Sequence, residues 1–403
     1  MTDLLYNTQG IEDFQIITYF YQENNLIILL ERDSFSCPCC GSKKVSIQTL
    51  RTRSVRGVPM GLTTKVYFDF DIHRIYCKKC KKRMMEKIPF LSLPMARITK
   101  ALENEILKMR LGADIKHTAK TFQLDWHTVK DLEKRYLKNK FSNLSFDNIR
   151  FIGIDETHVG HGKGSDQFLT IVRDLETKAV IHVGEGKGIE ALDGVYDKLK
   201  NCNIQAITMD MANAYHSWVK QYFPQADIIY DHFHLIKMMI EKLDNVRKRV
   251  TSTLDEEQHK VIKGFRFAFL RNQEDLSPDS RIILGNIRKQ FHELNEIYTF
   301  KEALRSIYRQ AKDESEAGFA FGNWCNMANM TNVNELKSMA KTIMKRLQGL
   351  ITYWKYDGIS NSHMEGFNNK LKLLSRKAFG FRDREYFKLK IYQLPENSIQ
   401  LQF

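Results

Sequence analysis

Phe151-Ile152-Gly153-Ile154-Asp155 is the stretch whose reading decides this chain. Its apolar, β-branched character reads as a buried strand, and a carboxylate emerges where the strand ends. Ile204-Gln205-Ala206-Ile207-Thr208-Met209-Asp210 repeats the arrangement. A third acid, Glu365, lies in Asn361-Ser362-His363-Met364-Glu365-Gly366-Phe367-Asn368-Asn369-Lys370-Leu371-Lys372. That segment reads as a helix with Asn361, Glu365, Asn368, Asn369 and Lys372 at three- and four-residue steps, hence on one polar face. Taken singly, a strand-end Asp is more often a helix cap or a turn residue. Together, Asp155, Asp210 and Glu365 can converge on hard divalent cations, which prefer oxygen ligands.

The elements between these acids give the order in which they are built. Residues 167–173 and 178–183 read as two further strands joined by the turn-like Asp174-Leu175-Glu176-Thr177. Ile189, Leu192, Val195 and Leu199 recur at helical spacing before the Asp210 strand, and a helix through Tyr215, Trp218 and Val219 follows it. A short strand over 226–230 then leads to a long helix from about Phe233. Three strands, helix, strand, helix, strand, helix is the element order of the ribonuclease-H-like fold, in which the first and fourth strand ends lie side by side. From about Thr251 to Leu350 the apolar residues keep helical spacing and strand-like runs are scarce, which predicts an all-helical segment. Leu304, Ile307, Tyr308, Phe319, Phe321 and Trp324 are expected in its core, with a loop at 273–279.

Residues 151–158, Met209-Asp210-Met211, Tyr230-Asp231-His232-Phe233-His234-Leu235-Ile236-Lys237 and 365–372 resemble the signature segments of the DDE transposases of the ISL-three insertion-sequence family. The resemblance runs from the cysteine-rich start through Arg384. It implies that Asp155, Asp210 and Glu365 are the catalytic triad, holding two Mg(II) or Mn(II) ions per active site. It also implies a helical insertion between the second and third acids, which are 155 positions apart against 55 between the first two. Asp231, His232 and His234, with Asn361 and Asn369, are expected to support the site. The implied activity is binding of the element's terminal inverted repeats, followed by strand cleavage and strand transfer. Double-stranded DNA, both transposon ends and target, is the implied partner of a homodimer or larger oligomer in the bacterial cytoplasm, associated with the nucleoid. A catalytically retired DNA-binding regulator and a structure-selective nuclease on the same fold are the alternative functions.

Composition agrees with a nucleic-acid partner. The 403 residues carry a formal charge of +14. Residues 1–145 hold 25 Lys and Arg against 15 Asp and Glu, +10 of that charge in about a third of the length. No apolar run is long enough to span a bilayer, and Met1-Thr2-Asp3 lacks the basic start of a signal peptide.

Cys37-Pro38-Cys39-Cys40-Gly41 and Cys77-Lys78-Lys79-Cys80 contain two Cys-x-x-Cys knuckles. Cys37, Cys40, Cys77 and Cys80 are the expected ligands of one structural zinc, since four thiolates leave no open position. Cys39 is a competing ligand at this level, and Cys202 and Cys325 read as small buried hydrophobes. Lys78, Lys79, Lys81, Lys82 and Arg83 suit either a phosphate backbone or a solvated face. Between 98 and 138, Ile98, Leu102, Ile106 and Leu107 lead through 115–122 and Gln123-Leu124-Asp125 to Trp126-His127-Thr128-Val129-Lys130, which resembles a helix-turn-helix. Ala119, Leu124 and Val129 would pack it, leaving Trp126, His127, Thr128 and Lys130 for DNA; a helical packing module without DNA is the other reading. Downstream of Glu365, Lys370, Lys372, Arg376, Lys377, Arg382 and Arg384 form a basic stretch suited to DNA.

A histidine-bound transition metal from His158, His161, His232 and His234 is the weaker reading beside oxygen ligands, and Gly160 to Gly164 lacks the ending of a phosphate-binding loop. The expected organisation is multidomain α+β. It comprises a zinc-binding domain at 1–92, a helix-turn-helix at 93–145, and a ribonuclease-H-like α/β core at 146–250 and 351–403 interrupted by an all-helical insertion at 251–350.

Overall fold

The computed structural model describes residues 2–61, 64–160, 167–356, 359, 362–378 and 380–395. It is a mixed α and β chain of two compact units, one up to Ser142 and one from Asn143 onward. Each unit holds its own five-stranded mixed sheet.

In the first unit, helix α1 (Thr2–Gln9) precedes β1 (Phe14–Gln22), β2 (Asn25–Arg32), β3 (Val45–Arg56), β4 (Lys65–Cys77) and β5 (Arg83–Met85). The strands lie in the order β1-β2-β4-β3, with β5 against the end of β4. Leu26, Ile28, Leu30, Val66, Phe68, Phe70 and Phe90 bury one face of this sheet. Three helices follow: α2 (Lys100–Arg110), α3 (Ile115–Thr121) and α4 (Trp126–Phe141). Each starts on an oxygen that accepts an otherwise orphan backbone N–H: Thr99 caps α2, Asp114 caps α3 and Asp125 caps α4. Leu102, Ile106, Ala119, Phe122, Val129 and Leu132 form their shared core, with Leu124 partly buried against it. The spacing had predicted this α3-turn-α4 packing. A buried Arg110–Glu133 pair at 2.7 Å ties α2 to α4. Arg56, at the end of β3, donates to the carbonyls of Phe122 and Gln123, so the sheet and the three helices are fastened at the α3–α4 turn.

The second unit opens with the meander β6 (Phe151–His158), β7 (Phe168–Asp174) and β8 (Val180–Glu185). Then come α5 (Val195–Leu199), β9 (Ala206–Met209), α6 (Asn213–Tyr222), β10 (Asp227–Tyr230) and α7 (His232–Thr251). The 189–199 helix of the sequence reading is two pieces, a single 3-10 turn at Glu190–Leu192 and then α5, separated by Gly194 in the left-handed region at φ +77. The sheet order is β10-β9-β6-β7-β8, with β6, β9 and β10 parallel and the meander antiparallel.

A helical segment continues through α8 (Glu256–Gly264), α9 (Arg266–Leu270), α10 (Pro278–Gln290), α11 (His292–Gln310), α12 (Glu314–Met330) and α13 (Asn334–Ile351). The chain then returns to the sheet with α14 (Ser362–Lys377) and α15 (Arg384–Gln393). The expected loop at 273–279 holds a 3-10 turn over Gln273–Asp275, and α10 already begins at Pro278, where a missing N–H costs nothing. Leu304, Ile307, Phe321 and Trp324 are buried and Tyr308 packs against them. Phe319 corrects the expectation: it is 73 % exposed, because α12 turns Phe321, Trp324, Cys325 and Ala328 inward and Phe319 lies on the other side. No helix among the described residues is long and apolar enough to cross a membrane.

Strand alternation fixes what each face of the second sheet meets. Ile152, Ile154, Ile207, Met209, Ile228 and Tyr230 pack with α6, α7 and the helical segment. Phe151, Ala206 and Ile229 pack with Met364, Phe367 and Leu371 of α14 and Phe387 and Ile391 of α15. Gly153 allows α14 this close: a Cβ there would stand 2.8 Å from Leu175 and 3.1 Å from Met364. Arg173 adds a second anchor, its guanidinium 4.1 Å over the Phe367 ring.

Candidate functional site

Asp210 and Asp231 directly follow the last residues of β9 and β10, but Asp155 corrects the expectation of a strand end: it lies inside β6, which runs on to His158 against β7, two residues past the point where the parallel pairing with β9 stops. The register aligns Gly153 with Thr208 and Tyr230 with Met209, so each aspartate follows its paired neighbours by one or two residues. Period two then places Asp155 with Phe151 and Gly153, Asp210 with Ala206 and Thr208, and Asp231 with Ile229. Asp231 Nα donates to the Met209 carbonyl at 2.9 Å, which holds the second and third of these acids at adjacent levels.

α14 reaches this row through one residue of the polar face that the spacing had grouped. Asn368 is 7 % exposed, buried beside Met364, Phe367 and Leu371, and its Nδ2 donates to Asp155 Oδ2 at 2.7 Å. Its Oδ1 is buried with no hydrogen-bond partner among the described residues. Glu365, one turn earlier, is exposed, as are Asn369, Lys370, Lys372, Arg376 and Lys377. The polar residues of α14 therefore divide between an inward amide and an outward acidic and basic face. Helical spacing groups them but does not show what stands opposite. Asn361 and His161 lie outside the described residues.

Electrostatics tie the acids together. Asp155 Oδ1 accepts from the Glu156 N–H at 2.9 Å. Burial pushes the Asp155 carboxyl up to about 6; the Glu156 N–H and His234 oppose the shift while Asp231 and Asp210 add to it. Asp231 caps α7, accepting from Phe233 N–H at 3.0 Å and from His234 Nδ1 at 2.8 Å. That bond raises the His234 pKa above its ordinary value, with Asp231, Asp155 and Asp210 all favouring the charged imidazolium. His232 behaves oppositely: burial lowers its pKa, against the pull of Asp231 and Glu365. Its ring packs 5.1 Å from Tyr308 and 5.7 Å from Tyr353. His158 is exposed and paired with Gln167 at 2.8 Å. Glu156 points to the opposite face, accepting from Tyr215 Oη of α6 at 2.5 Å. Asp155, and not its acidic neighbour, thus faces α14.

The donor set suits hard divalent ions: carboxylates on adjacent strands β6 and β9, with a buried amide oxygen able to accept from a coordinated water. Among the described residues the three carboxylates Asp155, Asp210 and Glu365 do not gather within 4.8 Å of one another. A pair of ions about 3.5–4 Å apart spreads its outer ligands over more than one ion's reach, so such a site does not require that convergence.

The cysteines do gather. Sγ atoms of Cys37, Cys40, Cys77 and Cys80 all lie within 4.8 Å of one another. Cys37 to Cys80 and Cys40 to Cys77 are each 3.6 Å. A tetrahedron with Zn–S bonds of about 2.3 Å has edges of about 3.8 Å, so the four sulfurs fit zinc. Both knuckles fold identically: Gly41 N–H reaches the Cys37 carbonyl and Lys81 N–H the Cys77 carbonyl, each at 2.9 Å, with φ +68 and +56 at those fifth positions. The β3–β4 hairpin fills the separation between knuckles, pairing Val45 with Cys77 so that both ends return to the four-sulfur cluster. Cys39 stands outside the cluster, exposed and 3.9 Å from Lys82 Nζ. Cys325 is buried as expected, and Cys202 is partly buried with its thiol donating to the Phe146 carbonyl. Lys78, Lys79, Lys81, Lys82 and Arg83 are exposed around the second knuckle. Trp126, His127 and Thr128 are exposed on the first turn of α4, and Lys130 is half-buried.

Comparison with known proteins gives a family. A family model described as a transposase, that of the ISL-three DDE type, matches residues 152–391, more than half of the chain. The chain is 27 % identical over 363 residues to the transposase for insertion sequence element IS1001 of Bordetella parapertussis, covering 88 % of this chain and 87 % of the relative. It is 24 % identical over 351 residues to the transposase for insertion sequence element IS1557 of Mycobacterium tuberculosis, covering 79 % and 76 %.

Proposed function

Because the chain belongs to the ISL-three family of DDE transposases, we propose that it binds the terminal inverted repeats of an insertion sequence and catalyses metal-dependent cleavage and transfer of DNA strands. The observation that carries this reading is the strand register that puts Asp155 and Asp210 side by side on the face met by the Glu365 helix, with Asn368 touching Asp155. The sheet order and the β6-to-β10 sequence of elements support a ribonuclease-H-like core, with α8 to α13 inserted between its second and third acids.

Asp155, Asp210 and Glu365 are the residues that would hold the Mg(II) or Mn(II) ions. Bound there, the ions supply an activated water or 3′-hydroxyl and countercharge for the leaving oxygen in an in-line displacement. The chain's own part is orientation and charge. Asn368 holds one oxygen of Asp155, the Glu156 N–H holds the other, and Asp231 fixes the ring of His234 so that a protonated nitrogen lies in the field of the acids. His232, Asn361 and Asn369 are proposed to support the same region. Zinc held by Cys37, Cys40, Cys77 and Cys80 would be structural. Exposed Lys78, Lys79, Lys81, Lys82 and Arg83, the first turn of α4 with Lys130, and Lys370, Lys372, Arg376 and Lys377 are the proposed DNA contacts, made by a dimer or larger assembly.

The test is cleavage of labelled DNA carrying the element's own ends. Wild-type protein should nick at the repeat boundary with Mg(II) and join the product to a target. Asp155→Ala, Asp210→Ala and Glu365→Ala should bind the ends and leave them intact. Binding without cleavage by the wild type would favour a retired regulator. Cleavage of branched DNA of any sequence, with no joining, would favour a general nuclease.

A further inference from the structure

Arg346 of α13 is a guanidinium buried in the second unit, 6 % exposed, in none of the ion pairs found among the described residues. Its Nη1 donates to Tyr230 Oη at 2.9 Å and its Nη2 donates to Asn213 Oδ1. The guanidinium also lies 5.3 Å from the centroid of the Tyr230 ring. These two acceptors are placed with purpose in the chain. Tyr230 is the last residue of β10, directly before Asp231, and Asn213 opens α6, three residues after Asp210. One side chain from the helical segment therefore grips both strand exits that carry the acids.

The neighbours complete the joint. Tyr230 Oη and His216 Nδ1 are 2.6 Å apart. Burial, then Arg346, Lys220 and Lys345, keep His216 below its ordinary pKa, so the neutral ring accepts from Tyr230 while Tyr230 accepts from Arg346. Gly349 lets the Tyr230 ring in: a Cβ at that position would stand 2.5 Å from the ring and 3.2 Å from the Ile228 carbonyl. The Tyr230 hydroxyl lies in the field of both Arg346 and Asp210. A buried charge with neutral partners is costly and adds nothing to packing that an apolar side chain would not. Its distinct contribution is directional: two fixed donors that set the angle between the β9 and β10 exits.

We propose that Arg346 is a positioning residue for the carboxylate row, through which the helical segment sets the spacing of Asp210 and Asp231 and hence the affinity of the site for divalent ions. This rests on the catalytic reading of Asp155, Asp210 and Glu365. Groups standing behind metal ligands commonly alter metal affinity or activity about 10- to 100-fold when removed. Arg346→Lys, whose compact ammonium lacks the rigid planar fork that spans the two acceptors, should weaken Mn(II) binding and slow cleavage about tenfold, and Arg346→Met more. Tyr230→Phe and Asn213→Ala each remove one acceptor and leave the guanidinium and the ring packing in place, so they test the idea if Arg346→Met fails to fold.

The full-length variants should be titrated with Mn(II) alone, following loss of the free-ion paramagnetic resonance signal, alongside melting temperature, end binding and magnesium dependence of cleavage. The expected result is weakened Mn(II) binding and a raised magnesium requirement at unchanged end affinity and near-unchanged melting temperature, with Arg346→Lys partly rescuing Arg346→Met. Wild-type Mn(II) affinity and magnesium dependence in Arg346→Lys, Tyr230→Phe and Asn213→Ala would overturn the proposal. Asp210→Ala separates the two failures: if it binds Mn(II) and cuts like wild type, the catalytic assignment is what falls.

Discussion

Asn368→Ala is the substitution that most directly probes how the proposed active site is held. It removes the Nδ2 donor that stands 2.7 Å from Asp155 Oδ2 and leaves α14 otherwise anchored by Met364, Phe367 and Leu371. A hydrogen bond to a charged group contributes about 1.5–3 kcal/mol, and about 1.4 kcal/mol is a factor of ten in rate. If that whole contribution orients Asp155 for the ions, single-turnover cleavage should slow about 10- to 150-fold. End binding should not change, because Asn368 is buried and the basic residues of α14 are on its outer face. Asn368→Asp should be more damaging, since it sets a second carboxylate against the first. The assay is quenched-flow cleavage of labelled end DNA at saturating protein, with gel-shift titration and thermal melting of each variant. A cleavage rate within twofold of wild type at unchanged melting temperature would refute the argument that this amide orients Asp155.

Zinc analysis should find about one zinc per chain, lost in Cys77→Ser together with end binding and retained in Cys39→Ser, because Cys39 stands outside the four-sulfur cluster. In magnesium-free buffer, Asp155→Asn should raise the melting temperature at pH 8 and leave it nearly unchanged at pH 3.5. The folded-state pKa is pushed up to about 6 from 3.8, so ionisation of Asp155 opposes folding above that window and is absent below it. A lower melting temperature for this variant at pH 8 would contradict the burial cause. Replacing Lys370 and Lys372 together by Ala should weaken binding to specific and nonspecific DNA alike, and flatten the salt dependence by about two units, about one per lost phosphate contact. An unchanged slope would take α14 off the phosphate backbone.

Much of the architecture was legible in local chemistry. Apolar β-branched runs marked β6 to β10, apolar spacing marked α3 and α4, and the paired knuckles marked the four-cysteine cluster. The misreadings share a cause. Periodicity groups residues by face but does not say what the face meets, so Asn368 was grouped with Glu365, although the helix turns one toward Asp155 and the other toward solvent. Phe319 followed from the same limit, as an aromatic on a helix whose inward side is set by Phe321 and Trp324. Arg346 gave no local signal at all, since its partners are 116 and 133 positions away. Ala119, Leu124 and Val129 were readable because the segment that buries them is the one that contains them.

The path of the chain gives α14 a meaning in time as well as space. A ribosome synthesises the zinc knuckles, the α2–α4 module and the Asp155 and Asp210 strands well before Asn368 and Glu365 exist, since α7 to α13 must be translated in between. Every protein molecule is thus, while nascent, equipped with its proposed DNA-recognition parts and lacking its third acid. A message cut short anywhere in that helical stretch would encode such a molecule permanently. On the function proposed here it would occupy DNA ends without cutting them, so the gene order of these segments makes premature termination a source of competitors to the enzyme.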